Sequence, residues 1–246
     1  MYVQGQMATD VNPEPSALEI VLSRGEMKVT GRLVDATNAT LLASVGEDEI
    51  ACIYKPIAGE RPLWDFATGA LAHREFAAYL VSTLGNFDVV PLTILREGPY
   101  GEGMVQQWIN IDQDLDMLEF FQRDSPELRN IALFDAVINN TDRKIGHLLP
   151  DQWGRVYGCD HGVTFHTQDK LRTVLWQWAG QPLSESEVLQ LENLRNSLTL
   201  SLGEMLHPLL STQELAALNM RVERLLTSRS FPNPSDDWPA VPWPPF

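Results

Sequence analysis

Two aspartates draw attention through their surroundings. Asp142 lies in the run DAVINNTDRKIGHLLP, followed by Arg143, Lys144 and, five positions on, His147; Asp160 opens the D-H-G triplet of GCDHGVTFH. Two carboxylates on loops can divide two tasks, one accepting or orienting the proton of an attacking hydroxyl, the other holding Mg²⁺ against polyphosphate oxygens. A cation joins them. Lys55 ends the apolar strand IACIYKP, where alternation puts it on a face with Ile53 while Cys52 and Tyr54 point the other way. A lysine on that face needs an anion, and Glu75 stands in the amphipathic stretch LAHREFAAYLVSTLG. A strand lysine paired with a helix glutamate is one way of holding nucleotide phosphates. Taken singly, each residue has a plainer explanation: a snorkelling lysine, a surface glutamate, aspartates in turns. Those explanations do not account for all four together.

The elements that must position them read as two unlike halves. Ser16 is placed to cap a short helix through Leu22, and KVTGRLV, LLASV and GEDEIACIYKP read as three antiparallel strands. The Glu75 helix stops at Gly85, VVPLTIL and GMVQQWI add two strands, and the sheet ends near Trp108. Residues 110–127 carry six carboxylates against Arg123 alone and read as a solvated face. PELRNIALFDAVINN is apolar at helical spacing and ends at an Asn pair; its Asp135 is placed either to brace the Asp142 loop through backbone N–H groups or simply to face outward. HLLP and RVYGCD suggest a hairpin across Gln152-Trp153-Gly154. Helices return from Ser184, and PNPSDDWPAVPWPPF, too Pro-rich for helix or central strand, reads as a strap over an apolar groove. The expected organisation is an arm over 1–15, a sheet lobe with one helix over 16–108 and a mostly helical lobe over 109–246. Such segregation is α+β, with the ligand expected in the cleft between the halves.

Charge narrows the partners. The 246 residues hold 18 Lys+Arg against 33 Asp+Glu, a net −15. No basic stripe is present for nucleic acid, and an anionic membrane would repel the chain, so neither partner is expected. No run approaches the roughly 20 apolar residues of a membrane span, and MYVQGQMATDVNPEP lacks the basic and apolar regions of a secretory signal, so a cytoplasmic location is expected. Cys52 and Cys159 are expected as reduced thiols.

The order of these motifs, Lys on a strand, Glu on the next helix, N-N-T-D-R-x-x-x-H after a helix and D-H-G after a hairpin, resembles the phosphatidylinositol 3-/4-kinase-related branch of the protein-kinase-like superfamily, its small actinobacterial members above all. By motif the likeness runs from about Gly31 to Asp160. The resemblance implies a two-lobed protein-kinase-like fold that binds ATP with Mg²⁺ or Mn²⁺ and transfers the γ-phosphoryl group to a hydroxyl. It implies that Lys55 contacts the α/β-phosphates and pairs with Glu75, that Asp142 is the catalytic-loop carboxylate, that Lys144 lies near the transferred phosphate and that Asp160 binds metal. It also implies that Gln107 and Trp108 form the hinge whose backbone meets adenine, and that Asn38 and Thr40 stand in the phosphate-covering turn.

Three departures qualify it. His147 stands where a second metal-binding Asn is usual, which shifts the metal preference or leaves only a hydrogen bond to phosphate. No glycine-rich phosphate loop is present, and His161 replaces the usual Phe. The acceptor is expected to be a protein hydroxyl or a small polar metabolite rather than a membrane phosphoinositide, given the −15 charge. A nucleotide-binding module without turnover, nucleotidyl transfer, and a metal hydrolase built on His147, His161 and His166 are the other readings.

Overall fold

The computed structural model describes residues 15–33, 38–67 and 69–246. Most of the expected N-terminal arm, and Ala36 and Thr37 of the ATNAT turn, lie outside them. Helix α1 (Ala17–Arg24) starts at Ser16, whose side chain accepts the Glu19 N–H. It is followed by strands β1 (Met27–Arg32), β2 (Leu41–Val45) and β3 (Ile50–Pro56), helix α2 (Leu71–Leu84), and strands β4 (Thr93–Gly98) and β5 (Gly101–Gln107). The five strands form one antiparallel sheet in the order β1-β2-β3-β5-β4. The expected α+β division into a small sheet lobe and a helical lobe is what the chain adopts.

One expected strand starts late. VVPLTIL does not pair from Val89, because the Val89 and Val90 N–H groups both donate to the buried Ser82 Oγ and Pro91 has no N–H to give. The strand begins at Thr93 and runs on to Gly98.

Alternation along β3 sorts its side chains as expected. Cys52 and Tyr54 are buried in the small core under α1, with Leu22, Val45 and Val105, while Lys55 lies on the opposite face and opposes Met104 in the ladder. Helix α2 belongs more to the other lobe: its Ala77, Ala78, Leu80 and Val81 join the large core of the C-terminal half. Arg74 on α2 pairs with Glu214, fastening the two halves.

The helical half comprises α3 (Met117–Phe120), α4 (Pro126–Ile138), the hairpin β6 (Leu148–Pro150) and β7 (Val156–Gly158), α5 (Glu185–Leu198), α6 (Ser201–Leu206) and α7 (Thr212–Ser228). Capping boxes at Ser184/Glu187 and Ser211/Glu214 start α5 and α7. Helix α4 stops because Asn139 takes a left-handed backbone, φ 53°, which Asn tolerates better than most residues. Among the described residues no helix is long and apolar enough to cross a membrane. Cys52 and Cys159 are both free thiols.

The C-terminal strap departs from its expected packing. It is anchored by polar groups: the Ala240 carbonyl accepts from the Thr173 N–H and the Trp176 indole, and the Pro245 carbonyl from the Ile145 N–H. Trp243 and Phe246 are 85% and 62% exposed. Of the strap's aromatic residues these two face outward, while the half-buried Trp238 meets the Lys170 ammonium over its ring, and the end of the segment runs along the Asp142 loop.

Candidate functional site

Six residues from four segments of the chain meet between the halves. Lys55 Nζ lies 2.6 Å from Glu75 Oε1 and 2.8 Å from Asp160 Oδ1. Asp160 Oδ2 faces His147 Nε2 at 3.4 Å, and ligand atoms of Asp142, His147 and Asp160 all fall within 4.8 Å of one another. Lys144 Nζ lies 3.5 Å from Asp142 Oδ2. Lys55, Glu75, Asp142, Lys144, His147 and Asp160 therefore occupy one neighbourhood.

The sequence after α4 builds this loop residue by residue. Asn139 clamps the far side, donating to the His166 and Gln168 carbonyls and accepting the Lys170 N–H. Asn140 accepts the Asp142 N–H, a local Asx turn, and donates to Asp135. Thr141 donates to the Val163 carbonyl. Asp160 sits at φ 60°, again left-handed. The residue after it reaches across the lobes, the His161 N–H donating to Glu75 Oε2. Glu75 thus holds both the lysine and the D-H-G backbone, and it is buried rather than on the surface.

The loop has a support that sequence reasoning missed. Asp135 does not brace it through backbone N–H groups; its carboxylate forms a fully buried ion pair with Arg143, joined by Asn140 and Thr173 side chains. Removing one partner of such a pair costs about 3–5 kcal/mol, since the other charge is left uncompensated. The available signal was an aspartate within the apolar pattern of α4 with an arginine eight residues on.

Electrostatics set the protonation states. Burial opposes the Lys55 charge, but Asp160 and Glu75 outweigh it and raise the ammonium above its usual range. Lys55 likewise holds the half-exposed Asp160 carboxyl well below its usual range. Burial pushes Glu75 up, and two donors, Lys55 Nζ and the His161 N–H, oppose that shift. Burial also raises Asp142, with Lys144 opposing.

Burial lowers His147 to about 4, and Asp160 only partly offsets it. The neutral imidazole keeps a lone pair for a metal, and its Nδ1 is buried without a partner among the described residues. Two carboxylates and one neutral imidazole suit a divalent cation, Mn²⁺ better than Mg²⁺ because of the nitrogen donor. The same shift has a consequence for folding. An unfolded His protonates near pH 6.5, so between about 6.5 and 4 the unfolded state binds the extra proton and stability falls as pH falls. The His147 share is about 3 kcal/mol at 1.36 kcal/mol per unit, and His161, shifted the same way by burial and Arg143, steepens the loss. Urea unfolding across that window should show the decline, and His147→Gln should flatten it; an equal slope in the variant would exclude His147 as a source.

Other expected positions serve different bonds. The Gln107 and Trp108 N–H groups donate to the Leu92 and Ala51 carbonyls, so neither N–H is free for a ligand. Asn38 Oδ1 accepts the Arg61 N–H, and the Thr40 carbonyl accepts the Leu33 N–H. The three histidines do not form one site: His161 is buried against Phe134 with Nε2 2.7 Å from Arg143, and His166 packs against Phe66. Among the described residues the one cluster suited to a metal is Asp142, His147 and Asp160.

Fold and site together define a two-lobed α+β protein with a lysine, a glutamate and a metal-suited trio converging between a sheet and a helical half. Protein Rv2133c of Mycobacterium tuberculosis (strain ATCC 25618 / H37Rv) is 40% identical over 263 aligned positions, covering 92% of this chain and 94% of that protein. The chain belongs to the family of that protein. No family model matches. The crystal structure of the Helicobacter pylori proinflammatory kinase CtkA overlays with a TM-score of 0.45 at 10% identity, over 85% of this chain and 94% of the other. At that score the overlay decides nothing about this chain's activity.

Proposed function

We propose that this protein is an ATP-dependent phosphotransferase of the protein-kinase-like type, resembling the phosphatidylinositol 3-/4-kinase-related branch, that transfers a γ-phosphoryl group to a hydroxyl. The observation that carries the reading is Lys55 Nζ held between Glu75 and Asp160, at 2.6 and 2.8 Å, by residues far apart in sequence. Lys55 supplies a fixed positive charge for the α/β-phosphates, and Glu75 keeps it oriented. Asp160, Asp142 and His147 are the residues that would hold the divalent cation, which when bound neutralises charge on the phosphate oxygens. Asp142, with its raised pKa, accepts or orients the proton of the acceptor hydroxyl. Lys144 is placed to meet the transferred group. Little covalent chemistry is asked of the protein, so catalysis comes from position and charge.

The acceptor in this reading is a hydroxyl of a protein or small polar metabolite, since a chain of net −15 is repelled by anionic membrane surfaces. A second reading, a nucleotide-binding interaction module, is favoured by one feature: His147 in the metal trio, where Mg²⁺ is poorly served. Crystals soaked with a nonhydrolysable ATP analogue and Mn²⁺ test the site, using the anomalous signal of manganese. The metal is expected against Asp142, His147 and Asp160 with phosphates at Lys55. Metal bound elsewhere, or nucleotide outside the cleft, would refute the assignment.

A further inference from the structure

We infer that Arg143 is the positioning residue of this site: its guanidinium sets the spacing of Asp142, His147 and Asp160 and, through it, the affinity for the divalent cation. The inference rests on the metal-and-nucleotide reading above. Arg143 follows Asp142 directly, yet its side chain turns inward and is fully buried. Nη1 donates to the carbonyls of Cys159, at 2.9 Å, and His147, at 3.4 Å. Nη2 reaches His161 Nε2 at 2.7 Å and Asp135 Oδ1 at 2.9 Å, while Nε meets both Asp135 oxygens. The group therefore grips the residues on either side of Asp160 and the backbone of His147, from a position next to Asp142.

A purely structural arginine would be satisfied by whatever carbonyls the core offers. Here the acceptors other than Asp135 lie on the residues that carry or flank the metal-suited side chains. The backbone adds to this, the Arg143 N–H donating to Arg172 and its carbonyl accepting from Val174. Asp160 sits in a left-handed conformation, and the grip on Cys159 and His161 holds it there. Only a planar fork with several donors spans these acceptors at once; a lysine ammonium would not. Gly158 makes the room, because a Cβ there would stand 2.9–3.1 Å from three guanidinium atoms.

Two variants test this from opposite sides. Arg143→Lys keeps the charge and loses the fork, whereas Gly158→Ala keeps the arginine and pushes its guanidinium aside. Leu218→Ala, in the buried helical core away from the brace, is the control for lost stability alone. Mn²⁺ affinity is read by electron paramagnetic resonance on each purified protein, and His147 ring resonances are read by NMR without metal or nucleotide. Both brace variants should bind Mn²⁺ roughly 10–100-fold more weakly and shift the His147 resonances, while Leu218→Ala lowers the melting temperature and leaves both unchanged. Unshifted His147 resonances in Arg143→Lys and Gly158→Ala overturn the inference whatever the metal does. An equal loss of Mn²⁺ affinity in Leu218→Ala overturns it too. Wild-type protein that binds no Mn²⁺ refutes the metal reading itself and with it the effect on affinity; the His147 resonances still report whether Arg143 positions the loop.

Discussion

Asp160→Ala is expected to weaken Mn²⁺-dependent ATP binding by more than about 100-fold, beyond the range typical of residues that merely support a metal ligand. Asp160 is half-exposed, with its carboxyl kept ionised at neutral pH by Lys55. It offers one oxygen to Lys55 and the other toward His147, which makes it the link between the phosphate-holding cation and the metal-suited trio. Removing it has opposite effects on two measurable quantities. The trio loses a charged ligand, so the metal-dependent part of binding collapses. Lys55, relieved of one of its two anions, keeps Glu75 at 2.6 Å and is freer to meet phosphate, so ATP binding measured in EDTA should hold or tighten. Titration calorimetry with and without Mn²⁺ separates the two. Binding of Mn²⁺-ATP within about threefold of wild type would remove Asp160 from the site, at a scale where tenfold is 1.4 kcal/mol.

What the sequence revealed of this arrangement depended on whether a local signal carried it. Strand alternation put Lys55 on the correct face, because period two is a property of the backbone. The Asn pair ending α4 marked the loop, because Asn tolerates the left-handed turn there. Glu75 was ambiguous: a helix glutamate beside His73 and Arg74 has the look of a surface charge, and its burial is created by the D-H-G segment arriving from 86 residues away. Arg143 was hidden for the same reason, since an arginine in a polar loop gives no local sign that its head group turns into the core. Glu214 closes the capping box with Ser211, and its pairing with Arg74 follows only from tertiary packing. The strap was legible only in part: composition suggests burial of its Trp and Phe, but only Trp238 is half-buried, and carbonyls at Ala240 and Pro245 provide anchors.

Asp142→Asn is expected to reduce phosphoryl transfer, read as ADP formation or self-phosphorylation at saturating Mn²⁺-ATP, by about 10²–10⁴-fold, the range general bases contribute. The substitution preserves shape and keeps an oxygen for the metal, so nucleotide binding should fall far less than in Asp160→Ala. The distinction follows from the two environments. Lys55 holds the Asp160 carboxyl well below its usual range, whereas burial raises Asp142, with Lys144 and Arg172 opposing. Two carboxylates pushed in opposite directions by their surroundings are suited to different work. The pH profile provides an independent check. Wild-type transfer should fall on the acid side as Asp142 takes up its proton, and the residual activity of Asp142→Asn should lack that limb. Turnover in Asp142→Asn equal to wild type would move the proton-accepting role elsewhere, and wild-type protein that binds Mn²⁺-ATP without turning it over would favour the nucleotide-binding module.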